Sequence, residues 1–488
     1  MPLSTIEHYL SYHTRLLLPH VLSRQSSHRI AYIFSLLSAV SAGFITLISL
    51  YSQPWQHRLN YSSWQINTIA SMTNLGMYLT PPILGMIADS HGPITLSFLA
   101  IVGFIPSYSY LAYVFNHPEL SLEGNGDSSF NLSIVCFTFI GISTSALYFS
   151  ALLTCTKLYP RTKLLSISLP TTCYGISSVV GSQLLRIKWF WSYNAQSSSS
   201  SHVLNLGRVF QTFAWIYVVI GVLAWIATSV VSLLHFDEER DSQKHFDDQT
   251  DVEQLPLLEP ENRAEEKFAR TILRIFTDPV TYILALSILL SLGPLEMFIA
   301  NMGSLANLLV QVDAPTLSTK LLSTYALSST FTRLMTGIIA DFFARKRISI
   351  KWILLTLLSL GVCAQLFLLK LTSSSTVSSW GLVPTGSLVG VIYGGLFTVY
   401  PTLVLLIWGE RSFGTVYGSL LIAPAVGSTI FCMLYAKVYD SRCMNSGGDL
   451  LKSSCISVVY KYSSMTFVAS ITLSAVVFWK LKRRNLII

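Results

Sequence analysis

Residues 337–371 read GIIADFFARKRISIKWILLTLLSLGVCAQLFLLKL. The stretch closes one apolar run, turns through Gly-x-x-Ala-Asp and a basic cluster at Arg345, Lys346 and Arg347, and enters a second apolar run. A helix rising ~1.5 Å per residue needs about 20 apolar residues to cross a ~30 Å hydrocarbon core. Working outward, runs of that length fall at about 30–51, 64–87, 94–115, 132–156, 164–187, 209–234, 278–303, 320–343, 350–371, 381–408, 413–436 and 460–480. The reading is an all-α polytopic membrane protein with twelve transmembrane helices in two six-helix halves. Its expected parts are a cytosolic N-terminal segment (1–29), a first half (30–234), a cytosolic acidic linker (235–276), a second half (277–480) and a cytosolic basic tail (481–488). Two repeated halves joined by a polar linker are a transporter layout.

Composition agrees. Apolar residues make up 51% of the 488 and charged residues 11%, against about 25% charged in a soluble domain. The net charge of +8 sits in short loops between apolar runs rather than in one patch, which excludes a nucleic-acid surface. The N-terminus, the loops after even-numbered spans and the C-terminus hold 21 Lys and Arg, and the opposite loops hold 10. Positive loops stay cytosolic, so both termini are expected there. The first 28 residues are polar and His-rich with no cleavage-site pattern, so the first span is expected to direct insertion.

Loop chemistry adds detail. The central linker holds twelve of the 24 Asp and Glu, the composition of a disordered tether. Ser-rich stretches at 197–201 and 373–379 read as flexible linkers. Five cysteines lie in spans, whereas Cys443 and Cys455 share the last non-cytosolic loop. An oxidising lumen would join that pair, and the alternative is two free thiols. Asn60 and Asn131 head glycosylation sequons on the expected lumenal side, each close to a span. No Cys/His spacing points to a metal, and no cofactor motif is present.

The strongest local signal is a repeat. Gly85-Met86-Ile87-Ala88-Asp89-Ser90-His91-Gly92 follows the second span, and Gly337-Ile338-Ile339-Ala340-Asp341 with Arg345 follows the eighth, 252 residues later. A small Gly permits close helix approach. An Asp at a helix C-terminus opposes the macrodipole and needs a donor or cationic partner. The paired placement resembles the loop motif of the major facilitator superfamily, in which, as the resemblance implies, this Asp locks one access state. The first copy departs from the pattern, because no Lys or Arg follows Asp89, Ser90 and His91.

Charges inside the spans are few. The seventh carries Glu296 within Gly293-Pro294-Leu295-Glu296-Met297-Phe298-Ile299-Ala300-Asn301, and the eighth carries Arg333, one turn after Ser329. Ionisable groups at such depth mark a pathway or a pairing, unless they snorkel to an interface. Counting ~1.5 Å per residue separates the two by ~9 Å in depth, which argues against simple contact. Arg333, Glu296, Ser329 and Asn301 are therefore the candidate substrate and translocation residues.

Arg333 followed by Gly337 in the eighth span is similar to monocarboxylate transporters. There, the resemblance implies, an Asp-x-x-x-Arg pair offers its Arg to the substrate carboxylate. Here the position four before is Ser329, and the acidic Gly- and Trp-rich signature before the first span is missing. Across the whole chain, Ser11-Tyr12-His13-Thr14-Arg15, Pro294-Leu295-Glu296-Met297-Phe298-Ile299 and Trp408-Gly409-Glu410-Arg411-Ser412-Phe413-Gly414 resemble the fungal vacuolar branch of monocarboxylate-transporter homologues. That resemblance implies the vacuolar membrane more directly than it implies a cargo.

Glu253 lies four residues before the pair Leu257 and Leu258. The spacing fits an acidic dileucine signal read by a vesicle-sorting adaptor. No Gly-x-x-x-x-Gly-Lys-Ser/Thr loop is present, so a gradient would supply the driving force, with Glu296 as the proton carrier. No intramembrane enzyme constellation is found. The expected function is secondary transport of a small anionic organic solute by alternating access. A non-transporting sensor that keeps the fold is the alternative.

Overall fold

A computed structural model describes residues 5–21, 23–48, 63–118, 126–159, 163–193, 202–247, 275–309, 314–373, 379–443 and 454–483, with 51, 55, 58, 59, 61 and 273 described singly. The chain divides into two compact units. Unit 1 takes Met1–Pro160 and Cys173–Ala269, and unit 2 takes Arg161–Thr172 and Arg270–Ile488. The residues at 161–172, expected in the first half, thus cluster with the second.

Unit 1 begins with a helix the sequence reading did not anticipate, α1 (Thr5–Val21), inside the supposed polar segment. The first span is α2 (Arg24–Ala42), continued by a 3-10 turn over Gly43–Leu47. The second is split into α3 (Ser63–Leu79) and α4 (Pro81–His91). Pro81 and Pro82 lack the amide hydrogens an unbroken helix would need, and Pro81 instead opens a new one. The next spans are α5 (Pro93–Asn116), α6 (Gly126–Leu158) and α7 (Lys163–Leu184). A small ribbon follows, with β1 (Trp191–Tyr193) antiparallel to β2 (His202–Leu204).

The sixth span corrects the expected linker boundary. α8 runs over Leu206–Asp247, thirteen residues beyond Leu234. No Gly or Pro occurs between 222 and 255, so nothing local stops the helix where the apolar run ends. Part of the acidic linker is therefore helical; 248–272 lie outside the described residues.

The core of unit 1 is aromatic. Phe104 stacks on Tyr217 at 3.8 Å, and Trp55 packs against Phe115, Phe137 and Phe210. The buried Tyr217 hydroxyl donates to the Ser41 carbonyl (2.8 Å), so its polar end is satisfied.

Unit 2 comprises α9 (Pro279–Ala300), a short α10 (Met302–Leu309), α11 (Ala314–Arg345), α12 (Lys351–Ser373), α13 (Ser379–Trp408), the broken eleventh span α14 (Phe413–Leu420) and α15 (Ile422–Val438), and α16 (Ser457–Arg483). Asp278 caps α9 by accepting from the Val280 amide (3.0 Å), with Pro279 at the first helical position. A knot of hydroxyls joins three helices. Ser287 of α9 meets Ser470 (2.8 Å) and Ser474 (2.9 Å) of α16, and Ser291 meets Tyr400 of α13 (2.9 Å). With no water in the bilayer core, such bonds hold helices together.

Among the described residues, nine helices are by themselves long and apolar enough to cross a bilayer. The other three expected spans are the split α3–α4, the Ser- and Thr-rich α7, and α11, which carries Lys320 and Arg333. Cys136, Cys155, Cys173, Cys363 and Cys432 are free thiols. Cys455 is disulfide-bonded, and the Cys443 side chain lies outside the described residues.

A candidate anion site on the eighth and tenth spans

α11 and α13 pack backbone to backbone, and glycines are the reason. Gly390 and Gly394 lie one turn apart on α13. A Cβ on Gly394 would collide with the Ser329 carbonyl, and one on Gly390 with Ser328 and the Tyr325 carbonyl. The missing side chains let the backbones touch. That contact sets the depth of everything one turn further along.

Arg333 sits there, 6% exposed. Its Nη1 donates to the Thr171 carbonyl (3.0 Å), and Ser168 Oγ donates to the Arg333 carbonyl (2.6 Å). Thr171 and Ser168 belong to the piece of α7 that clusters with unit 2. The guanidinium carbon stands 5.7 Å from the Tyr393 ring centre and 5.6 Å from that of Phe397, both on α13. These faces attract a cation in a low-dielectric setting. Arg333 Nε is buried and, among the described residues, has no hydrogen-bond partner.

Tyr393 also reaches the other charge. Its hydroxyl donates to Glu296 Oε1 at 2.7 Å. Among the described residues, Glu296 and Arg333 form no direct ion pair. A tyrosine stands between them, with its hydroxyl on the acid and its ring beneath the base. Tyr325 of α11 packs edge-on against the same ring at 5.6 Å.

The remaining sequence candidates scatter. Ser329 is buried one turn from Arg333, behind the Gly394 contact. Asn301 ends α9; its Nδ2 donates to the Met297 carbonyl (2.9 Å) and lies 4.0 Å from Cys432 Sγ. The first loop motif fills the end of α4 and the turn into α5, with Gly85 and Asp89 buried and Gly92 at a φ of 77°. The second ends α11, with Gly337 buried, Asp341 half-buried and Arg345 exposed. Asn131 is exposed on α6, inside the apolar span Ser128–Leu158. Asn60, Glu253, Leu257 and Leu258 lie outside the described residues.

The sequence reading missed Tyr393, Phe397 and Thr171. Their signal was indirect. Gly386, Gly390 and Gly394 recur every four residues in the tenth span, which marks a close-packed face and hence aromatics beside it.

A model of the Major Facilitator Superfamily matches residues 32–431. The chain belongs to that superfamily: it is a multi-pass membrane transporter and not an enzyme. Within the superfamily it groups with fungal chains named probable transporter MCH1. That of Saccharomyces cerevisiae is 86% identical over 486 residues, covering 100% of both chains. That of Candida glabrata is 51% identical over 507 residues, again covering 100% of both. The proton:xylose symporter XylE bound to 6-bromo-6-deoxy-D-glucose superposes with a TM-score of 0.65 at 12% identity, covering 92% of this chain and 95% of that one. At that identity the likeness is one of fold alone.

Proposed function

We propose that the chain is a secondary transporter that carries a small organic anion across the vacuolar membrane, with the anionic group received at Arg333. The observation that carries this reading is the state of that guanidinium. It is buried in a membrane span and one Nη is held by a backbone carbonyl; among the described residues Nε has no hydrogen-bond partner and no carboxylate pairs with it. A buried donor without an acceptor calls for an explanation, and an incoming carboxylate or similar oxyanion supplies one. The aromatic faces of Tyr393 and Phe397 hold the cation in place without neutralising it.

Glu296 is the proton carrier in this reading. Its carboxylate is half-buried on α9 and accepts from Tyr393. Protonation removes the negative charge nearest the site and so favours an anion at Arg333; loss of the proton disfavours it. The two events are coupled through space without an ion pair. The vacuolar assignment is supported by the acidic dileucine spacing of Glu253, Leu257 and Leu258 and by the family resemblance. Cytosolic termini are supported by the Lys and Arg distribution.

Proteoliposomes carrying the purified chain test the cargo class. With an inward acidic gradient, a panel of radiolabelled mono- and dicarboxylates should include a member whose uptake saturates and is competed by other carboxylates. A panel in which only cations or uncharged solutes move would overturn the anion reading.

A further inference from the structure

α1 is built inside out. Its buried face is polar: Glu7, Ser11 and Arg15 recur every four residues and are 4%, 0% and 8% exposed. Its open face carries Ile6, Tyr9, Tyr12 and Leu16, with Tyr9 81% exposed, and His13 among them. A helix surrounded by water would show the opposite arrangement.

Most of the polar face is engaged, Arg15 Nε being the buried exception among the described residues. Glu7 Oε1 accepts from Ser232 (2.7 Å), Thr14 donates to Ser229 (2.8 Å), and the Leu10 carbonyl accepts from the Trp225 indole (3.2 Å). Arg15 donates to the His8 carbonyl (3.2 Å) and stands 5.0 Å from the centre of the Phe236 ring. Burial pulls the Arg15 guanidinium below its ordinary value, opposed by Glu7. The Glu7 carboxylate also lies where a Cβ on Gly92 would stand, and the φ of 77° there favours glycine.

The order of these partners gives the direction of α1. From Glu7 through Leu10 and Thr14 to Arg15, the residues met on α8 are 232, 225, 229 and 236. The two ends of this nine-residue stretch meet α8 about one turn apart. α1 therefore crosses α8 rather than running along it, and does so at the end of the apolar span Leu206–Leu234.

The open face continues a surface already committed to lipid. Trp225, which holds Leu10, packs edge-on against Phe98 of α5 at 6.0 Å. Phe98, Leu99 and Val102 of α5 and Val219 and Val222 of α8 are exposed apolar residues on spans. We propose that α1 lies in the membrane interface, with Ile6, Tyr9, Tyr12 and Leu16 in the headgroup and upper acyl region of the leaflet beside Gly92. Tyrosine suits that depth, its ring apolar and its hydroxyl wet. Amphipathic helices lie this way with their apolar face in lipid. Here the polar face is turned onto the transporter instead of water, so one helix links the bilayer surface to the first loop motif.

The test places a photoreactive side chain on the open face of the full-length chain. Tyr9→p-benzoylphenylalanine and, separately, Leu16→p-benzoylphenylalanine are reconstituted in phosphatidylcholine–phosphatidylserine vesicles, irradiated and analysed by mass spectrometry. Arg345→p-benzoylphenylalanine, at the exposed end of α11, is the reference. Lipid adducts at least five-fold above the reference at both positions are expected. Yields equal to the reference, or cross-links to a second copy of the chain in place of lipid, would overturn the proposal.

Discussion

Arg333 and Tyr393 divide one task. In the proposed reading the guanidinium supplies the charge, and Tyr393 meets it with its ring while its hydroxyl bonds Glu296. Tyr393→Phe keeps the ring under Arg333 and deletes the hydroxyl that donates to Glu296. A hydrogen bond to a charged group contributes about 1.5–3 kcal/mol. The expected phenotype is uptake whose concentration dependence changes little but whose response to an imposed pH gradient is largely lost. Flux measured in vesicles with and without that gradient checks it. Both charged residues were legible in the sequence because each is an ionisable group inside an apolar run. Tyr393 was not: it is one of 23 tyrosines, and only the approach of α13 to α9 gives it a role.

Helices carry the site by how closely they pack. Gly394→Leu forces α13 away from the Ser329 carbonyl and takes Tyr393 and Phe397 with it. Overpacking of this kind costs about 1–3 kcal/mol. The variant should fold with a lowered melting temperature in detergent and transport poorly, whereas an equal melting temperature would deny the seam its role. Ser287→Ala opens the hydroxyl knot among α9, α13 and α16 and should cost about 0.6–1.7 kcal/mol in an unfolding titration. Most of these helices were legible from hydropathy, since length and apolarity are what a bilayer requires. α1 was hidden because its buried face is Glu7, Ser11 and Arg15, and a reading keyed to buried apolar residues passes over it. The extension of α8 to Asp247 was hidden because acidic composition resembled a tether, although the segment lacks the Gly or Pro that would stop a helix.

For the molecule as a whole, the charge distribution expects both termini on one side. Tags at either end of the chain, and the segment after Asp247, should be cleaved only by protease added from the cytosolic face of intact vacuoles; tags on opposite faces would contradict the twelve-span count. If Leu257 and Leu258 are read by an adaptor, replacing both with Ala should slow arrival at the vacuole several-fold while leaving detergent stability unchanged, as pulse-chase microscopy would show. The role of Arg333 is read from uptake of the cognate anion by reconstituted variants. Arg333→Lys keeps a positive charge and loses the planar fork, so transport should weaken. Arg333→Ala removes the charge, and transport should fall to background with folded yield and membrane insertion preserved. Normal anion uptake by folded Arg333→Ala would show that the anion is not received at Arg333.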